Sequence, residues 1–299
     1  MSRLLFVHAH PDDETLTCGI TMAHHVAQGD EVHVLTCTLG EEGEVVPAEL
    51  AHLQGADGDP LGAFRLGEIR AAMSRLGVHH AVLGAEQETW STGSDATPRY
   101  RDSGMVGMPS ASHPRAFAAA DVGEAATLVA EHIRRIRPDV VVTYDPTGGY
   151  EHPDHVQTHR VTRAALRSLD PPDRPAHAYE IVTPRSWVGP DRRWLREHVP
   201  PALGLAYPAD DDPVISSVVD DEVVTHVVVD PVHLPEQIAA LDAHRTQLRV
   251  WPGGYFSLTN DVAARLAGRE AYVRVDPATG ARIPLAAGER PVSGLLPPR

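Results

Sequence analysis

Arg3-Leu4-Leu5-Phe6-Val7-His8-Ala9-His10-Pro11-Asp12-Asp13-Glu14 is the stretch on which the fold turns. Its first half, Arg3 to His8, is a short strand, apolar at four successive positions, as expected where both faces of a parallel sheet are covered. Its second half is a turn built around proline, and the helical pattern that follows, Thr15 to Gln28, closes at Gly29. Strand, turn and helix in this order open a βαβ unit. Further along, Glu31 to Thr38 reads as a second strand, Phe64 to Leu76 as a helix ending at Gly77, and His80 to Leu83 as a third strand. Val122, Ala125, Ala126, Val129, Ala130, Ile133 and Ile136 form a helical stripe that stops before Pro138. Asp139 to Tyr144 is then a fourth, buried strand. Alternation at this spacing predicts an α/β fold with a mostly parallel, doubly wound sheet, binding its ligand at the strand C-termini.

The pattern weakens beyond Asp170, where Pro171, Pro172 and Pro175 mark a loop or boundary. Val223 to Val229 reads as a strand and Pro235 to Leu248 as a helix. The expected organisation is a catalytic domain over residues 1–170, with a smaller α/β part over 171–299 that completes or caps the site.

Composition narrows the chemistry. A formal net charge of −15 disfavours nucleic acid and anionic membrane as partners and suits a neutral or cationic small molecule. All 26 basic residues are arginine. Without lysine, Schiff-base chemistry, pyridoxal phosphate anchoring and the P-loop are excluded. The two cysteines, Cys18 and Cys37, make no Cys-x-x-Cys pair and read as small buried hydrophobes. The apolar run before His8 is too short for a signal peptide, and no stretch is long enough to span a bilayer; the expectation is a cytoplasmic protein.

Two histidine–aspartate clusters carry the chemistry. His10-Pro11-Asp12-Asp13-Glu14 follows the first strand, and Tyr150-Glu151-His152-Pro153-Asp154-His155 follows the fourth. Each lies at a strand-to-helix turn on the expected ligand edge, so two distant segments can share one coordination sphere. Catalytic zinc takes three protein ligands and keeps one position open. In the first cluster His10 and Asp13 flank Asp12, so one carboxylate can bind metal while the other stays free as a general base. His155 can supply the third ligand, leaving His152 to act on the substrate.

These clusters resemble those of the LmbE-like (PIG-L) N-deacetylases. The resemblance also runs through Thr36 to Val45, Arg65-Leu66-Gly67-Glu68, Arg101 to Met105 and Val142 to Tyr150. It covers about the first 160 residues, and afterwards only Ala243-His244-Arg245-Thr246-Gln247. It implies a Rossmann-like zinc enzyme in which His10, Asp13 and His155 hold one Zn2+ and Asp12 is the general base. His152 would stabilise the oxyanion and protonate the leaving amine, with Asp154 tuning it, and Tyr150 would polarise the acyl carbonyl. Arg65 and Asp102 fall where the family contacts substrate hydroxyls. Ferrous iron suits the same donors. The implied reaction removes the N-acetyl group of N-acetyl-glucosaminyl-inositol in mycothiol biosynthesis. A mycothiol S-conjugate amidase, a deacetylase of another amino sugar, and a non-catalytic zinc or sugar-binding module are the rivals. Glu151 departs from the family, which carries glycine before the histidine. Glu41, Glu42 and Glu44 on the ligand edge are candidates for sugar hydroxyls, and Trp90, Tyr100 and Trp251 for stacking on a sugar ring.

Overall fold

The structure is a computed structural model describing residues 1–85, 98–286 and 288–296. Trp90 lies outside the described residues. The first half runs β1 (Arg3–His8), α1 (Asp13–Ala27), β2 (Glu31–Thr36), α2 (Pro60–Leu76), β3 (His79–Val82), α3 (Val122–Ile136), β4 (Val140–Tyr144), a one-turn α4 (Gly148–Glu151) and α5 (Pro153–Ser168). The second half runs β5 (His177–Pro184), α6 (Arg185–His198), β6 (Val218–Val219), β7 (His226–Val229), α7 (Leu234–Leu241), β8 (Arg249–Trp251), β9 (Tyr255–Ser257), β10 (Ala263–Arg265), β11 (Arg269–Val275) and β12 (Val292–Ser293).

Strands β3-β2-β1-β4-β5 pair in parallel, with Leu4 opposite both Val32 and Val140. The pleat alternation of β1 explains why one strand suits two layers. Leu4 and Phe6 enter a core with Ile20 and Met22 of α1 and Ile69 and Met73 of α2. Leu5 and Val7 enter the opposite core with Val129 and Ile133 of α3 and Val161 and Leu166 of α5. Helices therefore cover both faces. The chain leaves β1 for β2 on one side and β4 for β5 on the other, and the crevice between β1 and β4 is the switch point where such sheets bind ligands.

The same sheet continues past β5 into later chain. β11 pairs antiparallel with β5, β7 antiparallel with β11, and β12 parallel with β7, while β6 also lies beside β5. A separate antiparallel sheet joins β8, β9 and β10. Two sequence expectations are corrected. The helix predicted over 235–248 ends at Leu241, and turns then carry His244, Thr246 and Gln247 toward the ligand edge. The strand predicted from Val223 starts at His226, after a 3-10 turn over Asp221–Val223. Among the described residues no helix is long and apolar enough to cross a membrane.

Candidate metal centre

β1 and β4 deliver the two clusters to that crevice. After His8 the chain turns through Ala9 to Asp12, and Asp13 and Glu14 occupy the first turn of α1, where the helix dipole favours acids. Asp12 sits at φ 111°, a conformation that L-residues reach only under local constraint. The constraint is visible. The Asp12 N–H donates to Glu14 Oε2 at 3.0 Å, and Arg65 donates to Gly40 O at 2.8 Å and to Pro11 O. Glu14 is fully buried and faces His244 at 3.4 Å.

On the other side, the Asp145 side chain accepts from Thr147 and from the Gly149 N–H, shaping the loop after β4. His152 caps α5, its Nδ1 accepting the Asp154 N–H at 3.2 Å, and Pro153 takes the first helical position. Glu151 adopts φ 69°. This is a backbone conformation that glycine adopts at least cost.

Three donor atoms converge between the clusters. His10 Nδ1 lies 3.2 Å from His155 Nε2 and 3.4 Å from Asp13 Oδ2, and His155 Nε2 lies 3.3 Å from Asp13 Oδ2. For metal–ligand bonds of about 2.0–2.1 Å, the edge of a tetrahedron is about 3.3–3.4 Å. The triangle therefore has the dimensions of one face of a tetrahedral zinc site. The far nitrogens of both rings are also engaged. His155 Nδ1 is 3.1 Å from Gly148 O, and His10 Nε2 is 3.3 Å from Asp154 Oδ2 and 3.4 Å from Asp102 Oδ1. Protons on those outer nitrogens leave two lone pairs and a carboxylate oxygen facing one another, an arrangement that calls for a cation.

Histidine 152 also approaches His10 and His155, and Asp102 and Asp154 form a second acidic group with His10. Each of these groups differs from the triangle in what its atoms already contact. The Nδ1 of His152 is occupied by the Asp154 N–H, and the two aspartates meet the outer face of the His10 ring.

Electrostatics sort the carboxylates. Burial raises Asp12 to about 7, with Arg65 opposing and Asp13 adding to the shift. Burial opposes ionisation of Asp13 too, yet His155 and His10 outweigh it and hold the group well below the usual range. The pair is thus split into an anionic donor and a carboxyl poised near neutrality. His10 is raised despite its burial, chiefly by Asp102.

The other predicted residues take places of their own. Asp154 is corrected: its Oδ2 accepts the Ser103 N–H at 2.9 Å and faces His10, whereas the sequence pointed to a brace on His152. Burial, then His10 and His155, lower His152 to about 3. Arg65 is buried and holds the Asp12 turn, and its Nη2 lies 3.4 Å from Asp12 Oδ2. Asp102 accepts from the Gly104 and Glu42 N–H groups, and its own N–H donates to Glu41. Arg65 and Asp102 line a cavity of about 280 Å³ together with His10, Asp12, His152 and Tyr150. Glu42 and Glu44 also line it, whereas Glu41 is buried behind Asp102. Cys18 and Cys37 are free and buried. Tyr100 and Trp251 pack into apolar clusters.

One neighbour of the donors was not anticipated. Tyr144 ends β4, donates its hydroxyl to Asp13 Oδ2 at 2.7 Å and accepts the Ala9 N–H at 3.0 Å. Its ring stacks on His155, with centroids 4.3 Å apart.

Fold and donor set together define a Rossmann-like α/β protein with a candidate mononuclear metal centre at its switch point. Residues 5–166 match the PIG-L family, described as GlcNAc-PI de-N-acetylase. A 1D-myo-inositol 2-acetamido-2-deoxy-alpha-D-glucopyranoside deacetylase of Thermomonospora curvata is 45% identical over 303 residues, spanning 98% of this chain and 96% of that one. The protein of the same name from Rhodococcus opacus is 43% identical and covers 94% of each chain. The chain belongs to the PIG-L family. Among solved structures, the zinc-inhibited form of a teicoplanin deacetylase shares the fold, with a TM-score of 0.51 at 18% identity over 92% of this chain and 99% of that one.

Proposed function

We propose that this chain hydrolyses the N-acetyl group of N-acetyl-glucosaminyl-inositol, the deacetylation step of mycothiol biosynthesis, with zinc held by His10, Asp13 and His155. It would act in the cytoplasm on this small polar conjugate. The observation that carries the chemistry is the triangle of donors with edges of 3.2–3.4 Å beside the separate, high-pKa carboxyl of Asp12. The choice of substrate rests on relatives of that name at 43–45% identity across nearly the whole length.

A bound ion there supplies Lewis-acid polarisation and a water of lowered pKa. Asp12 takes a proton from the attacking water, as a carboxyl near neutrality is suited to do, and returns it to the departing nitrogen. His152, its Nδ1 accepting the Asp154 N–H, carries its proton on Nε2 when neutral and donates it as a hydrogen bond to the carbonyl oxygen as charge develops there. Tyr150, which lines the same pocket, would polarise that oxygen through its hydroxyl. Arg65 keeps the Asp12 turn in place, while Asp102, Glu42 and Glu44 offer acceptors to sugar hydroxyls and to the product ammonium.

The test is acetate release from N-acetyl-glucosaminyl-inositol by zinc-loaded protein, with a chelated control and a mycothiol S-conjugate as competitor. Metal-dependent release, faster than cleavage of the conjugate, is the expected outcome. Faster cleavage of the conjugate would move the assignment to the amidase. No release from either would remove the pathway.

A further inference from the structure

A second cavity, of about 290 Å³, adjoins the donor triangle. Asp13 and Tyr150 line both cavities, and His155 and Tyr144 line this one. Its body is apolar, built from Leu16, Ile181, Val182, Trp187, Ile215 and Leu266. Its principal charged groups are already engaged. Asp191 binds Arg265 and Arg269 at 2.7 Å each, and those guanidiniums stack over Trp194 and Trp187. Glu270 accepts from the Ile20 and Thr21 N–H groups, the Thr21 hydroxyl and the Tyr272 hydroxyl. Asp145 is turned into its own loop by Thr147 and Gly149.

We infer that this chamber is an acyl-chain site, so that the enzyme accepts N-acyl amino sugars with linear acyl groups longer than acetyl. The inference rests on the amidohydrolase reading above. With the sugar among the acids of the polar pocket and the amide carbon at the donors, the acyl substituent leaves toward Asp13, Tyr150 and His155, which open on the apolar chamber. Both cavities approach the lower end of the size range of ligand pockets. A methyl group would use little of this one. Chemistry is unchanged by chain length: water oxygen bonds to the acyl carbon, the C–N bond breaks, the nitrogen takes a proton, and a short-chain carboxylate leaves with the amine.

The experiment compares N-acetyl-, N-butanoyl- and N-hexanoyl-glucosaminyl-inositol on the zinc enzyme, following amine release. Burial of a methylene is worth about 0.8 kcal/mol, so KM is expected to fall by up to roughly fourfold per added methylene, with kcat within about tenfold of the acetyl value. Two variants fill the chamber from loops, Ala267→Trp and Ile215→Trp; Ile215 is exposed and Ala267 half-buried. Each should keep acetyl hydrolysis, which also reports folding, and lose at least tenfold in kcat/KM for the hexanoyl substrate. Acetyl hydrolysis with a tenfold or greater fall in kcat/KM at butanoyl in the unmodified enzyme overturns the chamber assignment alone. Longer acyl groups cleaved equally well by unmodified enzyme and both variants would overturn it too. Failure on every substrate, acetyl included, overturns the hydrolase reading instead.

Discussion

Removing one oxygen, in Tyr144→Phe, should weaken metal binding without dismantling the site. The hydroxyl donates to Asp13 Oδ2 at 2.7 Å, and the same oxygen lies within 3.4 Å of both histidine donors. A hydrogen bond to a charged group contributes about 1.5–3 kcal/mol, and each 1.4 kcal/mol is tenfold in affinity. If most of that stabilisation depends on Asp13 being held in its metal-ready position, zinc affinity should fall by about 10–100-fold, the usual cost of losing a partner to a metal ligand. The Ala9 N–H also loses its acceptor, at a cost of about 1–3 kcal/mol to the folded state. Stability and affinity must therefore be separated. Thermal unfolding of the metal-free protein gives the first, and competition with a chelator of known affinity gives the second. A cobalt-loaded sample adds a direct signature, since a change at Asp13 shifts the ligand-field bands. A variant whose melting temperature drops while its zinc affinity stays within twofold of the parent would refute the reasoning and leave Tyr144 a packing residue.

Asp12→Asn, which removes the base but keeps the size of the side chain and its tolerance of positive φ, should lower kcat by about 10²–10⁴-fold with zinc stoichiometry unchanged; near-normal turnover would remove Asp12 as base. Buried His80 and His132 should each contribute an acid-destabilising slope between pH 6.5 and about 4, against the opposite slope of the raised carboxyls of Asp12, Glu180 and Glu270. Burial lowers His80 to about 4 and His132 to about 3, so the unfolded chain takes up protons in that window that the folded chain refuses. The slope of stability against pH should flatten in His132→Gln, as read by chemical denaturation at each pH; an unchanged slope would exclude His132 as a contributor. Glu151→Gly should raise stability by about 0.5–1 kcal/mol, because φ 69° strains an L-residue and the lost contact, Ser216 Oγ to Glu151 at 3.1 Å, is exposed. A fall in stability would mean that this contact outweighs the backbone strain.

What could be foreseen follows from how local each signal is. Strand β1, the turn carrying His10 to Glu14 and the stripe of α3 are written in consecutive residues, and the structure begins β1 and α3 at the residues expected. Strands β5 and β11 escaped because their meaning lies in their partners. Pro-rich flanks disguise β5, while β11 is paired antiparallel on both of its sides, which no short-range period reveals. The helical spacing of Ile238, Leu241 and His244 predicts a helix running on to Leu248; the chain instead turns after Leu241, and Thr246 donates through its N–H and hydroxyl to buried Glu68.

The same distinction divides the site. Residue types could suggest that His10, Asp13 and His155 belong together, because each donor set sits beside a turn that the sequence itself announces. They could not say which carboxylate braces which ring. Asp154 is two residues from His152, and proximity along the chain suggested that pair. Yet His152 caps α5 through its ring, and the first turn of the helix then points the Asp154 carboxylate toward His10, contributed by the turn after β1, 144 residues earlier. Tyr144 was hidden for the same reason: as the last residue of a buried strand it looks like core, and only the register of β4 against β1 sets its hydroxyl between Ala9 and Asp13. Candidate ligands can be proposed from residue types and turn placement, whereas the groups that orient them are set by which strand lies next to which. This is why Tyr144→Phe, more than any change among the three candidate donors, tests whether the packing of β4 on β1 has been connected correctly to the proposed metal site.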